Sequence, residues 1–202
     1  KEVLSISRKQ DVQIFKTLFG TGNQLGMRFK YTFQTKPKGI PDAINVANKF
    51  IAKQPFILAL ADNLFIGESF QKTLRQVQSI KSGAAVLAVK TKYPSKSAVI
   101  DLGKKGKIKS IIEKPKKPKS NLTIPGLYFY DSESKTLVRK LKPSKRGELE
   151  IVDVHLDYLE KQQLKVFSLK KDIKWFDTGD AEEMLEASNY VHRYQKNKKT
   201  LV

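Results

Sequence analysis

The chain has 202 residues, of which 40% are hydrophobic, so it is long enough and apolar enough to form a sizeable core. It has no cysteine, which excludes disulfide bonds and thiolate chemistry, and its longest apolar runs are far too short to cross a bilayer. We therefore expect a cytoplasmic protein. The net charge of +19 comes mostly from lysines spread along the chain, which favours a solvated basic surface, or one that attracts phosphorylated substrates, over a nucleic-acid site.

The first half of the chain alternates between strand and helix patterns. An apolar run at 3–6 predicts a strand, and apolar residues then recur at helical spacing from Val12 to Phe19, where Gly20 ends the helix. Further strands are predicted at 29–33, 56–61 and 84–89, with helices at 40–51 and 70–80. The unbroken apolar run at 56–61 indicates a strand covered on both faces. This order predicts parallel strands joined by crossovers, as in an α/β sheet.

The second half begins with a different pattern. Short strands at 98–102 and 107–112 flank a glycine- and lysine-rich turn and predict a hairpin, after which two prolines indicate an extended loop. The remaining predicted elements are strands at 127–130, 164–169 and 173–176 and helices at 132–140, 150–162 and 180–194. We predict one α/β domain over residues 1–202, with a β-rich insertion.

Two aspartates are predicted to follow strands at the edge of the sheet where ligands bind. Asp62 comes after the strand at 56–61, and Asp177 lies between the segment 173–176 and a helix. In open α/β sheets ligands bind beyond the carboxyl ends of the strands, and a carboxylate there can hold Mg²⁺. Two such carboxylates could share one ion that neither would hold firmly alone. The alternative is that each aspartate caps a turn or a helix start.

Two neighbouring charged residues offer a second kind of chemistry. Glu113 can accept hydrogen bonds beside the cation Lys114, which suits a ligand with hydroxyls and a phosphate. Because Pro115 follows, Lys114 is expected to be extended. The alternative is one more ion pair in a charged loop.

Three further residues carry weaker signals. Arg146 could place its fork on a phosphate, although the acids that follow it also suit an ordinary helix start. Gln34 could read the edge of a base, and Gly39 would allow a ligand to approach closely. Neither histidine belongs to a metal-binding spacing, and we expect His155 to be partly buried or on the surface of a helix.

Several stretches together resemble the sugar-1-phosphate nucleotidyltransferases, and among them the glucose-1-phosphate thymidylyltransferases, over nearly the whole chain. They are P-K-S-N at 118–121 with G-L-Y-F-Y at 126–130, L-K-P-S at 141–144 with R-G-E-L-E-I at 146–151, and W-F-D-T-G at 175–179 with L-E-A at 185–187. The resemblance implies a Rossmann-like α/β fold with a mixed, mostly parallel sheet, flanking helices and a β-rich insertion.

The same resemblance implies an enzyme that joins dTTP and glucose-1-phosphate to give dTDP-glucose and pyrophosphate, with Mg²⁺ as cofactor. An oxygen of the sugar phosphate would attack the α-phosphorus in line, so that no covalent enzyme intermediate is needed. Catalysis would rest on positioning and on neutralisation of phosphate charge. The family also implies a homo-oligomer for the full-length form.

Roles can be carried over to the residues that match. Asp62 and Asp177 would be the metal ligands, while Gln34, Gly39 and Asp62 would bind the nucleotide, the first two at the thymine. Lys114 and Arg146 would face the sugar phosphate as catalytic residues. The sugar phosphate would be bound by Ala98, Glu113, Lys114, Ile124, Arg146 and Trp175.

The chain also departs from the family pattern. Members begin with a strand and a phosphate-binding loop of pattern G-G-x-G-T-R, followed by a lysine, whereas the first residues here match a later strand. We therefore expect a domain that lacks this segment, shows little or no activity alone, and stops at 199–202 before the last helices of longer members. Ala61 and Ala98 replace glycines, and Ser97 and Pro125 replace a tyrosine and a threonine, which bears on sugar specificity.

Three other functions remain open on the sequence. One is a related nucleotidyltransferase that uses UTP or another sugar phosphate. Another is a non-catalytic module that regulates or assembles with an active partner, which the missing loop favours and the retained carboxylates oppose. Nucleic-acid binding through the positive charge is the least favoured.

Overall fold

The computed structural model describes residues 1–36 and 38–198, except the side chains of residues 105, 197 and 198. The predicted chain end at 199–202 therefore lies outside the described residues. The contacts between residues divide the chain into two compact units. The first comprises Lys1–Phe56 and Asp131–Glu160, and the second comprises Ile57–Tyr130 and the described residues from Lys161 onward.

The secondary structure follows most of the predicted order. The strands are β1 Glu2–Arg8, β2 Arg28–Gln34, β3 Phe56–Ala59, β4 Asn63–Ile66, β5 Ala84–Lys90, β6 Ala98–Leu102, β7 Ile108–Ile112, β8 Leu122–Ile124, β9 Leu127–Tyr130, β10 Leu164–Ser168 and β11 Lys174–Asp177. The helices are α1 Val12–Phe19, α2 Ile40–Val46, α3 Asn48–Ile51, α4 Phe70–Gln78, α5 Ser134–Val138, α6 Ile151–Glu160 and α7 Ala181–Lys198. Among the described residues, no helix combines the length and the apolar character needed to cross a lipid bilayer.

The first unit contains a parallel pair of strands joined by a helical crossover. β1 and β2 run in register from Glu2 opposite Arg28 to Arg8 opposite Gln34, and α1 lies in the connection between them. The helix predicted at 40–51 is divided into α2 and α3 at Ala47, whose ψ is 0°. Buried side chains continue across the break, so the predicted apolar stripe is preserved.

The second unit is built around one buried strand. β5 is the centre of a sheet with the order β3-β9-β5-β8-β6-β7, and β10 also pairs with β5. Residues 84–88 of β5 are at most 1% exposed. β6 and β7 form the predicted hairpin.

The predicted α/β class with a mixed sheet is confirmed, but the expectation that it is mostly parallel was wrong. The pairs β1–β2 and β5–β10 are parallel, whereas β4–β11, β5–β8, β5–β9, β6–β7 and β6–β8 are antiparallel. Short connections in the β-rich region return the chain in the opposite direction, and only longer crossovers permit parallel pairing. The crossover pattern of the first half did not extend to the rest.

The strand predicted at 56–61 is also shorter and less buried than its apolar run indicates. β3 ends at Ala59, and its side chains alternate between half-buried and exposed, with Ile57 42% exposed. Because the exposed residues Ile57 and Ala59 alternate with the half-buried ones, they share one face of β3, and that face is not covered. The prediction of a strand covered on both faces was therefore wrong.

His155 is fully buried in α6, which contradicts the expected half-buried or surface position. It follows Ile151 by four residues and precedes Tyr158 by three, so it shares the apolar face of the helix with these buried residues. Burial lowers the pKa of His155 from 6.5 to about 3. The imidazole is therefore neutral in the folded protein.

We expect this buried histidine to make the protein less stable in mild acid. Its folded pKa lies below its unfolded value of 6.5, so its contribution is present above that pH and is lost progressively as the pH falls toward about 3. Between pH 7 and pH 5 the loss should be about 2 kcal/mol, at about 1.4 kcal/mol per pH unit below the unfolded pKa. Urea unfolding at the two pH values measures it.

The His155→Gln variant should lose about 2 kcal/mol less than the wild type over the same pH interval. His192→Gln, which changes an exposed histidine of α7, is the matched control and should behave like the wild type. Equal pH dependence of all three proteins would contradict the assignment.

Candidate active site

The second unit brings the two predicted metal ligands to one corner. Asp62 lies in the turn between β3 and β4, and Asp177 is the last residue of β11. β4 and β11 are antiparallel, and their register places Asn63 opposite Asp177. The residue that precedes Asn63 is Asp62, so the pairing of these two short strands sets the aspartates side by side.

Hydrogen bonds from Thr178 fix the main chain at this corner. Its backbone N–H and its hydroxyl donate to the carbonyl oxygen of Asp62, at 2.7 and 2.9 Å. A methyl group placed on Gly179 would lie 3.2 Å from Asp62 Oδ2 and 3.2 Å from Asp177 Oδ1. One oxygen of each carboxylate therefore flanks the same small volume.

The alternative, in which the aspartates only cap local structure, accounts for part of this geometry. Asp177 Oδ1 accepts a hydrogen bond from the backbone N–H of Gly179 at 3.2 Å, as a turn residue would. The start of α7, however, is capped by Asp180, whose Oδ1 accepts from the N–H groups of Glu182 and Glu183. Asp177 is thus not needed as the helix cap, and its local hydrogen bond to Gly179 does not require it to approach Asp62.

The electrostatics of the corner favour a bound cation. Burial raises the pKa of Asp177, and the negative charges of Asp62 and Asp180 raise it further, while the Gly179 N–H and the charge of Lys114 oppose the shift. The pKa of the buried Tyr128 is also raised, first by burial and then by the charges of Glu113, Asp62 and Asp177. A divalent cation would relieve the repulsion between carboxylates that this arrangement imposes.

Four of the residues predicted at the sugar phosphate, Ala98, Glu113, Lys114 and Ile124, lie at the ends of β6, β7 and β8. Ala98 is opposite Ile124 in the β6–β8 pair, and both are buried. The backbone N–H of Lys114 donates to the carbonyl of Ser97 at 3.3 Å, which ties the segment after β7 to the start of β6. The charge of Glu113 contributes to the raised pKa of Tyr128, and the charge of Lys114 opposes the rise in the pKa of Asp177, so both residues lie within electrostatic range of these groups.

Lys114 is not extended, contrary to the prediction from Pro115. Its φ is 40°, in the left-handed region that residues with a side chain rarely adopt. A residue that is followed by proline, as Lys114 is by Pro115, avoids the right-handed helical region. The hydrogen bond to Ser97 then holds Lys114 in the left-handed region instead of the extended one. Such strained residues are concentrated at functional sites.

Asn63 and Glu183 are site residues that the sequence reasoning missed. Asn63 bonds to the carboxylate of Asp62 and to the indole of Trp175, and Glu183, which is only 8% exposed, accepts the backbone N–H of Asp177 at 3.0 Å. The available signal for Asn63 was its place directly after Asp62 at the start of a strand. Glu183 gave no such signal, because an acid in the first turn of a helix is usually explained by its favourable interaction with the helix dipole.

The three remaining predicted residues lie in the first unit. Gln34 Nε2 donates to Asp42 Oδ2 at 3.0 Å and approaches the Gly39 carbonyl at 3.5 Å. Gly39 has a φ of 97°, and a side chain there would overlap the backbone of Leu149. Here the glycine is required by the fold, whatever it does for a ligand.

Arg146 directs its fork at a carboxylate of its own unit. Its Nε lies 3.2 Å from Glu150 Oε1 and its Nη2 lies 2.8 Å from Glu150 Oε2. Glu150 Oε1 also accepts a hydrogen bond from the hydroxyl of Ser144, at 2.6 Å. A phosphate at Arg146 would therefore have to share or replace this pairing.

The donor set at the aspartate corner fits a hard divalent ion. Within residues 1–36 and 38–198, no three His, Cys, Asp or Glu side chains converge as a ready-made metal cage. Two carboxylate oxygens without such a cage suit Mg²⁺, which keeps several waters and is commonly completed by substrate phosphates. Asp62 and Asp177 would hold the ion.

Comparison with known proteins assigns the family. Residues 1–193 match the family model described as Nucleotidyl transferase. The chain belongs to the nucleotidyl transferase family. Nucleotidyl transferases generally use a divalent metal, in agreement with the carboxylate pair.

Named relatives in this family match most of the chain. It is 38% identical over 195 residues to the glucose-1-phosphate thymidylyltransferase of Neisseria meningitidis serogroup A, a match that covers 96% of this chain and 68% of that protein. It is 36% identical over 196 residues to the enzyme of that name from Mycobacterium tuberculosis H37Rv, covering 97% of this chain and 68% of that protein. The chain thus spans about two thirds of the length of these nucleotidyl transferases.

Solved structures support the same fold. A protein from Bacillus anthracis, provisionally described as a glucose-1-phosphate thymidylyltransferase and crystallised with sucrose, matches with a TM-score of 0.84 and 30% identity over 93% of this chain and 74% of that one. A UDP-glucose pyrophosphorylase bound to UDP-glucose matches with a TM-score of 0.82 and 22% identity over 96% of this chain and 81% of that one. At that identity the second likeness shows the fold alone. The Rossmann-like nucleotidyl transferase fold is confirmed.

We expect Gly179→Ala to weaken divalent-metal binding at the corner. The added methyl would stand 3.2 Å from one oxygen of each aspartate, closer than most such contacts, and would push the carboxylates apart. Misplacing metal ligands in this way should lower the affinity for Mn²⁺ about tenfold. Isothermal titration of the variant and the wild type measures the change.

Gly103→Ala is the control for this substitution. Gly103 has a φ of −87°, and the three atoms nearest to an added methyl there all belong to the flexible side chain of Lys109. Its metal affinity should equal that of the wild type. Unchanged affinity in Gly179→Ala would show that the two carboxylates do not share an ion.

Proposed function

We propose that this chain carries the site of a glucose-1-phosphate thymidylyltransferase, which joins dTTP and glucose-1-phosphate to give dTDP-glucose and pyrophosphate with Mg²⁺. The observation that supports this most strongly is the approach of Asp62 Oδ2 and Asp177 Oδ1 to one small volume. The identity of 36–38% to enzymes of that name supports the choice of substrates.

The reaction is a substitution at the α-phosphorus of dTTP. An oxygen of glucose-1-phosphate forms the new P–O bond, the bond between the α-phosphorus and the bridging oxygen breaks, and pyrophosphate leaves with those electrons. When bound, Mg²⁺ supplies charge neutralisation at the phosphate oxygens. No side chain has to act as a nucleophile, so the protein's task is to hold the reactants in line.

Side chains of the second unit would bind the sugar phosphate. Lys114, whose charge acts on Asp177, would face the sugar phosphate, and Glu113 beside it would accept hydroxyls of the sugar. Ala98, Ile124 and Trp175 would line the sugar side.

Gln34 and Gly39 are proposed to bind the nucleotide, and Arg146 the sugar phosphate. The hydrogen bond from Gln34 Nε2 to Asp42 holds the amide in one orientation, as recognition of a thymine edge requires. Gly39 would let the base approach the backbone. Arg146, already paired with Glu150, would turn part of its fork toward a phosphate of the sugar substrate.

Binding of the product dTDP-glucose tests this function without requiring turnover. We expect binding that strengthens with Mg²⁺ and that weakens at least about tenfold in Asp62→Asn and in Asp177→Asn, because each loses one of the paired carboxylates. The affinity can be measured by isothermal titration with and without Mg²⁺. Asp101→Asn, which makes the same change of charge in β6 of the same unit, should bind as the wild type does.

The nucleoside preference is tested by the same titration with UDP-glucose in place of dTDP-glucose. dTDP-glucose should bind more tightly than UDP-glucose if the base pocket is selective for thymine. Tighter binding of UDP-glucose would replace the thymidylyl assignment with a uridylyl one. Absence of Mg²⁺-dependent binding of either sugar nucleotide would contradict a transferase site altogether.

A further inference from the structure

The side chain of Asn63 joins three separate segments of the second unit. Its Nδ2 donates to Asp62 Oδ1 at 2.8 Å, while its Oδ1 accepts from the backbone N–H of Gly126 at 2.7 Å and from the indole Nε1–H of Trp175 at 2.7 Å. These partners lie in the turn before β4, in the turn before β9 and in β11. Asn63 thus connects a predicted metal ligand to a residue predicted at the sugar.

The orientation of this amide is determined by its partners. The backbone N–H of Gly126 and the indole N–H of Trp175 are donors without any acceptor capacity, so both must face the amide oxygen. A flipped amide would set its NH₂ group against both donors. Nδ2 must therefore face Asp62.

The consequence is that Asp62 presents one defined oxygen to the corner. Oδ1 is occupied by Asn63, and Oδ2 lies on the side of Asp177, 3.2 Å from the position of a methyl group on Gly179. Thr178 holds the backbone carbonyl of the same residue. Main chain and side chain of Asp62 are thus restrained by different neighbours.

A purely structural role for Asn63 explains only two of its three bonds. The bonds from Gly126 and Trp175 hold the turn before β9 and the strand β11 in place. The third bond goes to the carboxylate of the exposed Asp62, which water could solvate without cost to the sheet. The bond from Asn63 to Asp62 is therefore explained by a function that requires the Asp62 carboxylate in one orientation.

We propose that Asn63 is a positioning residue that turns Oδ2 of Asp62 toward the divalent cation and couples the indole of Trp175 to the occupied site. The proposal deepens the proposed function and rests on its metal site, but not on the identity of the base or the sugar. Trp175 is the single tryptophan of the chain, so its indole N–H gives one resonance that reports on this coupling.

The first test is the affinity for Mn²⁺ alone, measured from the electron paramagnetic resonance signal of the free ion. Asn63→Ala should bind Mn²⁺ about tenfold more weakly than the wild type, as expected when the hydrogen-bond partner of a metal ligand is removed. Trp175→Phe removes a donor to the same amide but leaves the bond to Asp62, and it should keep the wild-type affinity. This variant separates loss of orientation from general loosening between β4 and β11.

The second measurement uses the wild-type fold. In ¹H–¹⁵N spectra, the Trp175 indole resonance should shift and saturate as Mg²⁺ is added. In Asp62→Asn the resonance should not shift over the same range. This measurement remains decisive if Asn63→Ala does not fold.

The outcomes distinguish the positioning role from the metal site itself. Equal Mn²⁺ affinity in the wild type and Asn63→Ala, or equal losses in Asn63→Ala and Trp175→Phe, would overturn the positioning role. An indole resonance that ignores saturating Mg²⁺ would overturn the coupling. Wild-type protein that binds no Mn²⁺, or Asp62→Asn that binds it as the wild type does, would overturn the metal site and the proposal with it.

Discussion

Two carboxylates held together in a partly buried corner are the constraint on which the site depends. Asp62 and Asp177 repel each other, and burial together with this repulsion raises the pKa of Asp177. The β4–β11 pairing and the two hydrogen bonds from Thr178 nevertheless hold the two aspartates close together. The absence of a side chain at Gly179 leaves room for this approach. The repulsion between the two carboxylates costs free energy when no cation is bound. A bound divalent cation would offset that cost, which explains the arrangement.

Charges of both signs act on this corner: besides burial, Asp62 and Asp180 raise the pKa of Asp177, and Lys114 lowers it. Lys114 opposes the rise in the pKa of Asp177, and its positive φ directs the chain after β7 back onto Ser97. The chain as a whole carries a charge of +19, so an acidic corner within it is locally exceptional. Charges of both signs suit a reaction in which a metal ion and basic side chains share the charge of a triphosphate and a sugar phosphate.

Local patterns predicted much of the fold because local chemistry determines those parts. Helical spacing and a terminal glycine predicted α1 to its last residue, and the glycine- and lysine-rich turn predicted the β6–β7 hairpin. Strand direction and burial depend on partners far along the chain, so the mostly parallel sheet and the fully covered β3 were wrong. His155 was misjudged for a related reason, since its polar type concealed its place on the apolar face of α6.

The site was predictable where residue type alone signals the chemistry. Asp62 and Asp177 could be found from their positions after apolar runs, and the structure places them at one corner. Asn63 could not be found in the same way, because its partners Gly126 and Trp175 are 63 and 112 residues away and only the folded chain assembles them. The carried-over roles of Gln34 and Arg146 remain predictions.

Anomalous X-ray diffraction from a crystal of the chain grown with Mn²⁺ and dTDP-glucose tests the central claim most directly. The account predicts one Mn²⁺ peak within about 2.5 Å of an oxygen of Asp62 and of an oxygen of Asp177, with further ligands from phosphate and water. A peak bound to only one of the two aspartates, or a sugar nucleotide bound with no Mn²⁺ at this corner, would contradict it.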